Sequence, residues 1–106
     1  MRILGLDYGE KRIGVSVCDE LGITAQGLPT LIRQTKKHDL EILSHWILDY
    51  SIQEIVIGYP LRLDGSEGIQ CEKVNRFTRL LEKTFLLPVM KWPETLSTKE
   101  AEEILI

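Results

Sequence analysis

Apolar positions fall in short runs separated by glycine-bearing or charged turns, and the spacing changes from strand-like to helical along the chain. Ile3, Leu4 and Leu6 make a first run broken only by Gly5, and a second apolar run covers residues 13–17. Between them lie Asp7, Tyr8, Gly9 and the charged turn Glu10-Lys11-Arg12. This predicts a strand, a turn and a second strand over 12–18, followed by a turn at Asp19-Glu20-Leu21-Gly22. Residues 23–31 read as a third, irregular strand, because Gly27 and Pro29 interrupt it. The three strands should form an antiparallel meander.

The period then changes. Leu40, Leu43, Ile47 and Tyr50 share one face at helical spacing, with Trp46 on its flank, which predicts a helix over 36–50. Glu54-Ile-Val-Ile-Gly58 is a continuous apolar run, the mark of a buried parallel strand, and Tyr59-Pro60-Leu61 should break it. A polar loop over 62–68 leads to a second helix over 69–84, with Val74, Phe77, Leu81 and Phe85 inward. Pro88 opens a last strand over 89–92. Ser97 and Glu100 then form a capping box for a third helix. That helix ends on Ile104-Leu105-Ile106 with no cap and no polar tail, which reads as a helix cut short. The order βββ-α-β-α-β-α implies an α/β fold, a mixed five-stranded sheet with helices packed on it, in one domain over 1–106.

Composition narrows the class. A chain of 106 residues with 43 % hydrophobic residues holds one core and is not disordered. No apolar run approaches the roughly 20 residues of a membrane span, and nothing at the start resembles a signal peptide. Cys18 and Cys71 are far apart and form no C-x-x-C, which suits a reduced, cytoplasmic protein without a membrane partner. The net charge of −3 argues against non-specific nucleic-acid binding. Local clusters such as Lys11-Arg12 and Arg76/Arg79/Lys83 are nonetheless basic.

The candidate chemistry centres on acids at strand ends. Asp7 leaves the core at the carboxyl end of a buried strand, beside Gly9, where a ligand can approach the backbone. Glu94 lies just past the last strand and would share its edge. Two carboxylates there suit a metal site; a plain hairpin with a solvated turn is the alternative for Asp7. Lys11 and Arg12 are positioned for phosphates or, alternatively, form a solvated hairpin tip. Asp64 and Glu67 could reach the same edge, or serve only a turn and the start of the next helix. His38 and His45 have no ligand-spaced partner. Ser66 and Ser97 have no adjacent histidine base.

The stretch Asp7-Tyr-Gly9-Glu-Lys11-Arg12-Ile-Gly14-Val-Ser resembles the opening of the YqgF family, also called RuvX, a bacterial branch of the RNase H-like nucleases. Gly58-Tyr-Pro60 followed by Asp64-Gly-Ser-Glu67 resembles a second family segment. Leu87-Pro-Val89 with Glu94-Thr-Leu-Ser-Thr98 resembles a third. The resemblance implies an RNase H-like fold with the first strand central and the second antiparallel to it. It implies a nuclease, a phosphodiester hydrolase using Mg²⁺ or Mn²⁺, with Asp7 and Glu94 as catalytic and metal-binding residues. Gly9, Lys11, Arg12, Asp64 and Glu67 would then be substrate-binding. The implied substrate is nucleic acid, either the 5′ end of pre-16S ribosomal RNA in ribosome biogenesis or branched DNA at a Holliday junction, and a homodimer is possible.

The chain departs from the family pattern in two places. Pro93-Glu94-Thr95 stands where the family has Asp-Glu-Arg, and the family's further aspartate on its last helix would fall beyond Ile106. The 106 residues alone are therefore expected to be weakly active or inactive. The alternatives of other classes are a non-catalytic nucleic-acid-binding or scaffold protein that keeps the fold, and a sugar-kinase-like nucleotide-binding lobe.

Overall fold

The computed structural model describes residues 2–19 and 25–95. Six strands form one sheet: β1 (Arg2–Tyr8), β2 (Arg12–Asp19), β3 (Ala25–Gly27), β4 (Leu31–Ile32), β5 (Ile52–Leu61) and β6 (Val89–Thr95). Two helices, α1 (Lys36–Asp49) and α2 (Ile69–Phe85), connect β4 to β5 and β5 to β6. The hydrogen-bonded order is β3-β2-β1-β5-β6, with β4 also pairing β2. Strand β1 is central, as the family resemblance implies. It is antiparallel to β2 and parallel to β5, and β5 is parallel to β6.

Successive side chains alternate between the two faces of a strand. On β1, Leu4 and Leu6 are buried; on β2, Ile13, Val15 and Val17; on β5, Ile55, Ile57 and Tyr59. Both helices pack on this inner face. Helix α2 contributes Cys71, Val74, Phe77 and Leu81 at three- and four-residue spacing, and α1 contributes Leu43. Each fully buried Leu or Ile contributes roughly 1.5–3 kcal/mol by leaving water. Thr35 caps α1, its hydroxyl accepting the His38 N–H at 3.1 Å. The buried carboxylate of Asp39 accepts the Gln34 N–H at 3.0 Å and lies 3.2 Å from His38 Nδ1. His38 thus belongs to the helix start.

The structure corrects the predicted boundaries in three places. The third strand is two short ones, β3 and β4, both paired with β2. Leu28-Pro29-Thr30 separates them, since Pro29 has no N–H to give the ladder. Strand β5 runs through Tyr59-Pro60-Leu61 instead of breaking there. Ile55 donates to Pro88 O on the β6 side, so the nitrogens of even-numbered residues face β1. Pairing with β1 ends at Leu6↔Ile57, so Pro60 costs no ladder bond. Strand β6 reaches Thr95 and includes Glu94, because Pro93 sits on an edge strand. The predicted third helix, its capping box and its apolar end lie outside the described residues.

Candidate active site on the open sheet face

The face opposite the helices carries Gly5 and Asp7 on β1, Gly14 and Ser16 on β2, Val56 and Gly58 on β5, and Met90 and Trp92 on β6. No described element packs on it. The glycines and Ser16 leave a shallow depression of about 420 Å³, lined by Gly5, Asp7, Gly14, Ser16 and Gly58, with Trp92 at the β6 side. The hairpin register sets Asp7 opposite Gly14 and Gly5 opposite Ser16. A Cβ at Gly14 would lie 3.4 Å from Asp7 Cβ, and one at Gly5 would lie 2.7 Å from Ser16 Oγ. Glycine therefore keeps the floor open beside the carboxylate.

Asp7 is exposed, and no described residue hydrogen-bonds to it or pairs with its charge. Its backbone pairs with Gly14 on β2, one residue past Leu6, where the β1–β5 ladder ends, and its carboxylate stays open to ligands. Glu94 occupies the equivalent edge of β6, level with Pro60, two residues beyond the Gly58↔Trp92 pair. Alternation assigns position 94 to the same sheet face as Trp92, and hence as Asp7. Ideal strand spacings put the two Cα atoms about 12 Å apart, two strands over and two residues along. Among the described residues, no three His, Cys, Asp or Glu side chains converge.

An unpaired carboxylate in a glycine-walled depression fits a hard divalent cation, which prefers oxygen ligands and keeps several waters. Among the described side chains the donor is Asp7, and position 94 lies on the same sheet face two strands away. This fits Mg²⁺ or Mn²⁺ better than a soft-ligand metal.

The remaining predicted residues separate into two groups. Lys11 and Arg12 are exposed at the β1–β2 turn beside Asp7. Gly9 closes that turn: its N–H donates to Arg12 O at 2.9 Å, and a Cβ there would lie 2.8 Å from the same oxygen. Asp64 and Glu67 are engaged elsewhere. Asp64 accepts from Ser66 N at 2.9 Å and Ser66 Oγ at 2.6 Å, and the Ser66 hydroxyl, more than any other group, holds its carboxyl below the usual range. Glu67 accepts from the Tyr59 hydroxyl, on the helix side of the sheet. Asn75 Nδ2 donates to that hydroxyl at 3.1 Å and Lys91 Nζ to Asn75 Oδ1 at 2.8 Å, clasping the 62–68 loop to β5, α2 and β6.

Sequence reasoning missed Gly5, Ser16, Gly58 and Trp92 as lining residues. For Gly5, Ser16 and Gly58 the signal is the two-residue period, since each falls on the small side of a strand whose other side is apolar. Trp92 carries no such signal, because β6 has Met90 beside it and Lys91 on the other face.

Comparison with known proteins identifies the lineage. A protein of Syntrophus aciditrophicus named "Putative pre-16S rRNA nuclease" is 65 % identical over 99 % of this chain and 70 % of its own length. A protein of the same name from Halothermothrix orenii is 49 % identical over the whole chain and 76 % of its own length. Among solved structures, the Fowlpox virus resolvase, crystallised with its Holliday junction DNA substrate, superposes with a TM-score of 0.52 at 10 % identity. That match covers 98 % of this chain and 70 % of the viral one, and shows a shared fold. The family model described as RuvX, Holliday junction resolvase, matches residues 1–106, and with these relatives it establishes that the chain belongs to the RuvX family.

Proposed function

We propose that this protein is a metal-dependent endonuclease that acts on structured nucleic acid and matures the 5′ end of a 16S ribosomal RNA precursor in the cytoplasm. The observation that carries the reading is Asp7: an exposed carboxylate on the central strand, paired with no described residue and facing a depression kept open by glycines. The names of the Syntrophus aciditrophicus and Halothermothrix orenii relatives support this choice of substrate. Asp7 and Glu94 would hold Mg²⁺ or Mn²⁺. When bound, such an ion activates a water and offsets the charge that builds on the phosphate.

The chain's own residues account for the other requirements. Asp7 pairs with Gly14 on β2 and directly follows Leu6, the last β1 residue paired with β5, so little reorganisation is needed when a ligand arrives. Gly14 and Gly5 leave room for a phosphate to approach the strand backbone. Lys11 and Arg12 sit at the turn that follows Asp7, where cations position a phosphate chain without reading its sequence.

Holliday-junction resolution is the second reading, favoured by the description of the family that the chain joins. One experiment separates the two. Wild-type protein and Asp7→Asn, each in a chain that also carries the family's last helix, are incubated with a pre-16S RNA 5′ fragment and with a synthetic four-way DNA junction, with and without Mg²⁺ or Mn²⁺. Metal-dependent cleavage of the RNA by wild type alone is the expected result. Cleavage of the junction alone selects the second reading. Equal cleavage by Asp7→Asn rejects the site.

A further inference from the structure

The opposite side of the same edge holds a groove that the proposed chemistry does not use. It lies between α2, the start of α1 and the β1–β2 turn, and has a volume of about 770 Å³. Arg33, Lys36, Lys73, Arg76, Arg79 and Lys83 line it. Among the described residues, two carboxylates line the groove with these six cations: Glu10, 3.8 Å from Lys73 Nζ, and Asp39, which is buried against Gln34 and His38. The chain has 13 Lys and Arg in all and a net charge of −3, so nearly half of its cations are gathered on one surface of an acidic protein. Such segregation has an electrostatic cost in self-repulsion and needs a polyanionic partner to offset it.

We infer that this groove binds the phosphate backbone of the RNA arm flanking the cleavage site, a reading that rests on the nuclease function proposed above. Lys73, Arg76, Leu80 and Lys83 recur at three- and four-residue spacing and so share one face of α2. Lys73 and Lys83 are about 15 Å apart along the helix axis. Phosphates of one strand of B-form DNA advance about 3.4 Å each and those of A-form RNA somewhat less, so the row spans about four or five of them.

Continuity with the candidate site favours nucleic acid over an acidic protein partner. Asp7 and Tyr8 are consecutive, and alternation sends Asp7 to the open face and Tyr8 into the groove. The Tyr8 ring packs 4.4 Å from Phe77 on α2. The Arg33 guanidinium lies 4.4 Å above the Tyr8 ring and donates to Gly9 O at 2.8 Å and Glu10 O at 2.7 Å. The groove wall is thus bolted to the turn that follows Asp7. A strand held at Asp7 has its neighbouring arm within reach of these cations around the sheet edge.

The test measures binding in an Asp7→Asn background, where cleavage is blocked, using a fluorescein-labelled pre-16S 5′ stem titrated over a range of salt concentrations. Arg76→Gln with Lys83→Gln is expected to weaken binding about tenfold near 0.1 M salt and to make the salt slope shallower by about 1.4–1.8, the value for two lost phosphate contacts. Lys36→Gln, on the other wall, should act in the same direction at about half the slope change. Arg2→Gln with Lys37→Gln carries the same net charge change away from the groove and should stay within about twofold, with an unchanged slope.

Equal losses in the two double variants, or no loss in the groove variant, would overturn the inference. So would displacement of the RNA by poly-glutamate at equal charge concentration. Groove-dependent binding of a four-way DNA junction with none of the RNA stem would overturn the assignment to RNA. Cleavage by the wild-type chain is followed separately. If it cleaves but the groove variants bind normally, the groove assignment fails alone. If it never cleaves but the salt slope still depends on Arg76 and Lys83, the nuclease reading fails and the groove stands.

Discussion

The two faces of one sheet follow opposite rules. On β1, Leu4 and Leu6 point to the helices and are buried, while Gly5 and Asp7 point to the other face, where nothing described covers them. On β2, Ile13 and Val15 are buried, and Gly14 and Ser16 line the depression beside Asp7. The inner face has the large aliphatic side chains that stabilise the fold. On β1 and β2 the outer face has the small ones that leave space, and a carboxylate that no described residue pairs with. A side chain absent from the outer face costs little stability, because no core forms there among the described residues. The same strand can therefore be rigid for one purpose and open for another.

The comparison is broken most sharply by two neighbouring substitutions. Leu6→Ala should lose about 2–5 kcal/mol of stability, since Leu6 is only 4 % exposed and a cavity would remain. For a chain of this size that lowers Tm by at least about 10 °C, measurable by calorimetry. Asp7→Asn should leave Tm within about 2 °C, because the carboxylate has no partner to lose, yet reduce metal-dependent cleavage roughly a hundredfold or more. If Asp7→Asn unfolds the protein, or Leu6→Ala spares it, the division of labour between the faces is wrong.

Gly14→Val sharpens the contrast, because stability and activity should move in opposite directions. Valine favours an extended strand where glycine weakens it, so Tm should hold or rise by a few degrees, a gain of about 0.5–1 kcal/mol. Its methyl groups would start from a Cβ 3.4 Å from Asp7 Cβ and project into the depression. Cleavage should fall about tenfold or more as the approach of a phosphate is blocked. Retained cleavage would show that the phosphate does not enter between Asp7 and Gly14.

Gly9→Ala tests the turn that joins the faces. The added Cβ would meet the Arg12 carbonyl oxygen at 2.8 Å, and that atom is backbone already held by the Gly9 N–H. The hairpin must shift, at an expected stability loss of about 1–3 kcal/mol, read by urea denaturation. An unchanged midpoint would mean that the turn relaxes freely and that Gly9 serves ligand approach alone.

Much of this arrangement is legible in the sequence, and the unread parts have physical causes. The central strand, both helices and the position of Asp7 follow from apolar periodicity and from a turn dense in glycine and charge. The extension of β5 through Pro60 is not legible, because it depends on which neighbour each nitrogen faces, a consequence of register. The splitting of the third strand turns on Pro29 opposing β2, again a pairing effect. Arg76, Arg79 and Lys83 read as a basic cluster on a helix. Their meeting with Arg33 and Lys36 across a groove required the packing of two helices on one face. The bond from Tyr59 to Glu67 is also tertiary in origin, whereas those from Ser66 to Asp64 span two residues and belong to the turn that the sequence offers as the alternative role for Asp64.

That last distinction leads to the smallest expected effect. Asp64 is fully exposed, and its carboxyl is held below the ordinary value first by the Ser66 hydroxyl and then by the Ser66 N–H. A lowered folded pKa means that the associated stabilisation is present above the ordinary carboxylate value and disappears as pH falls through the lowered one. At neutral pH the loop should therefore be indifferent to small pH changes. Ser66→Ala removes the largest cause and leaves the backbone bond, so the Asp64 pKa should rise toward the ordinary value while Tm stays within about 1 °C. Carbon-detected NMR titration of the side-chain carboxyl resonances measures this directly. The same resonances locate the metal site independently of activity. Paramagnetic Mn²⁺ at low occupancy should broaden Asp7 first and leave Asp64 sharp, because Asp7 has free oxygens and Asp64 has committed its Oδ1 to Ser66. Equal broadening of Asp64 would place the loop acid in the metal's shell, and the open face would no longer be sufficient to describe the site.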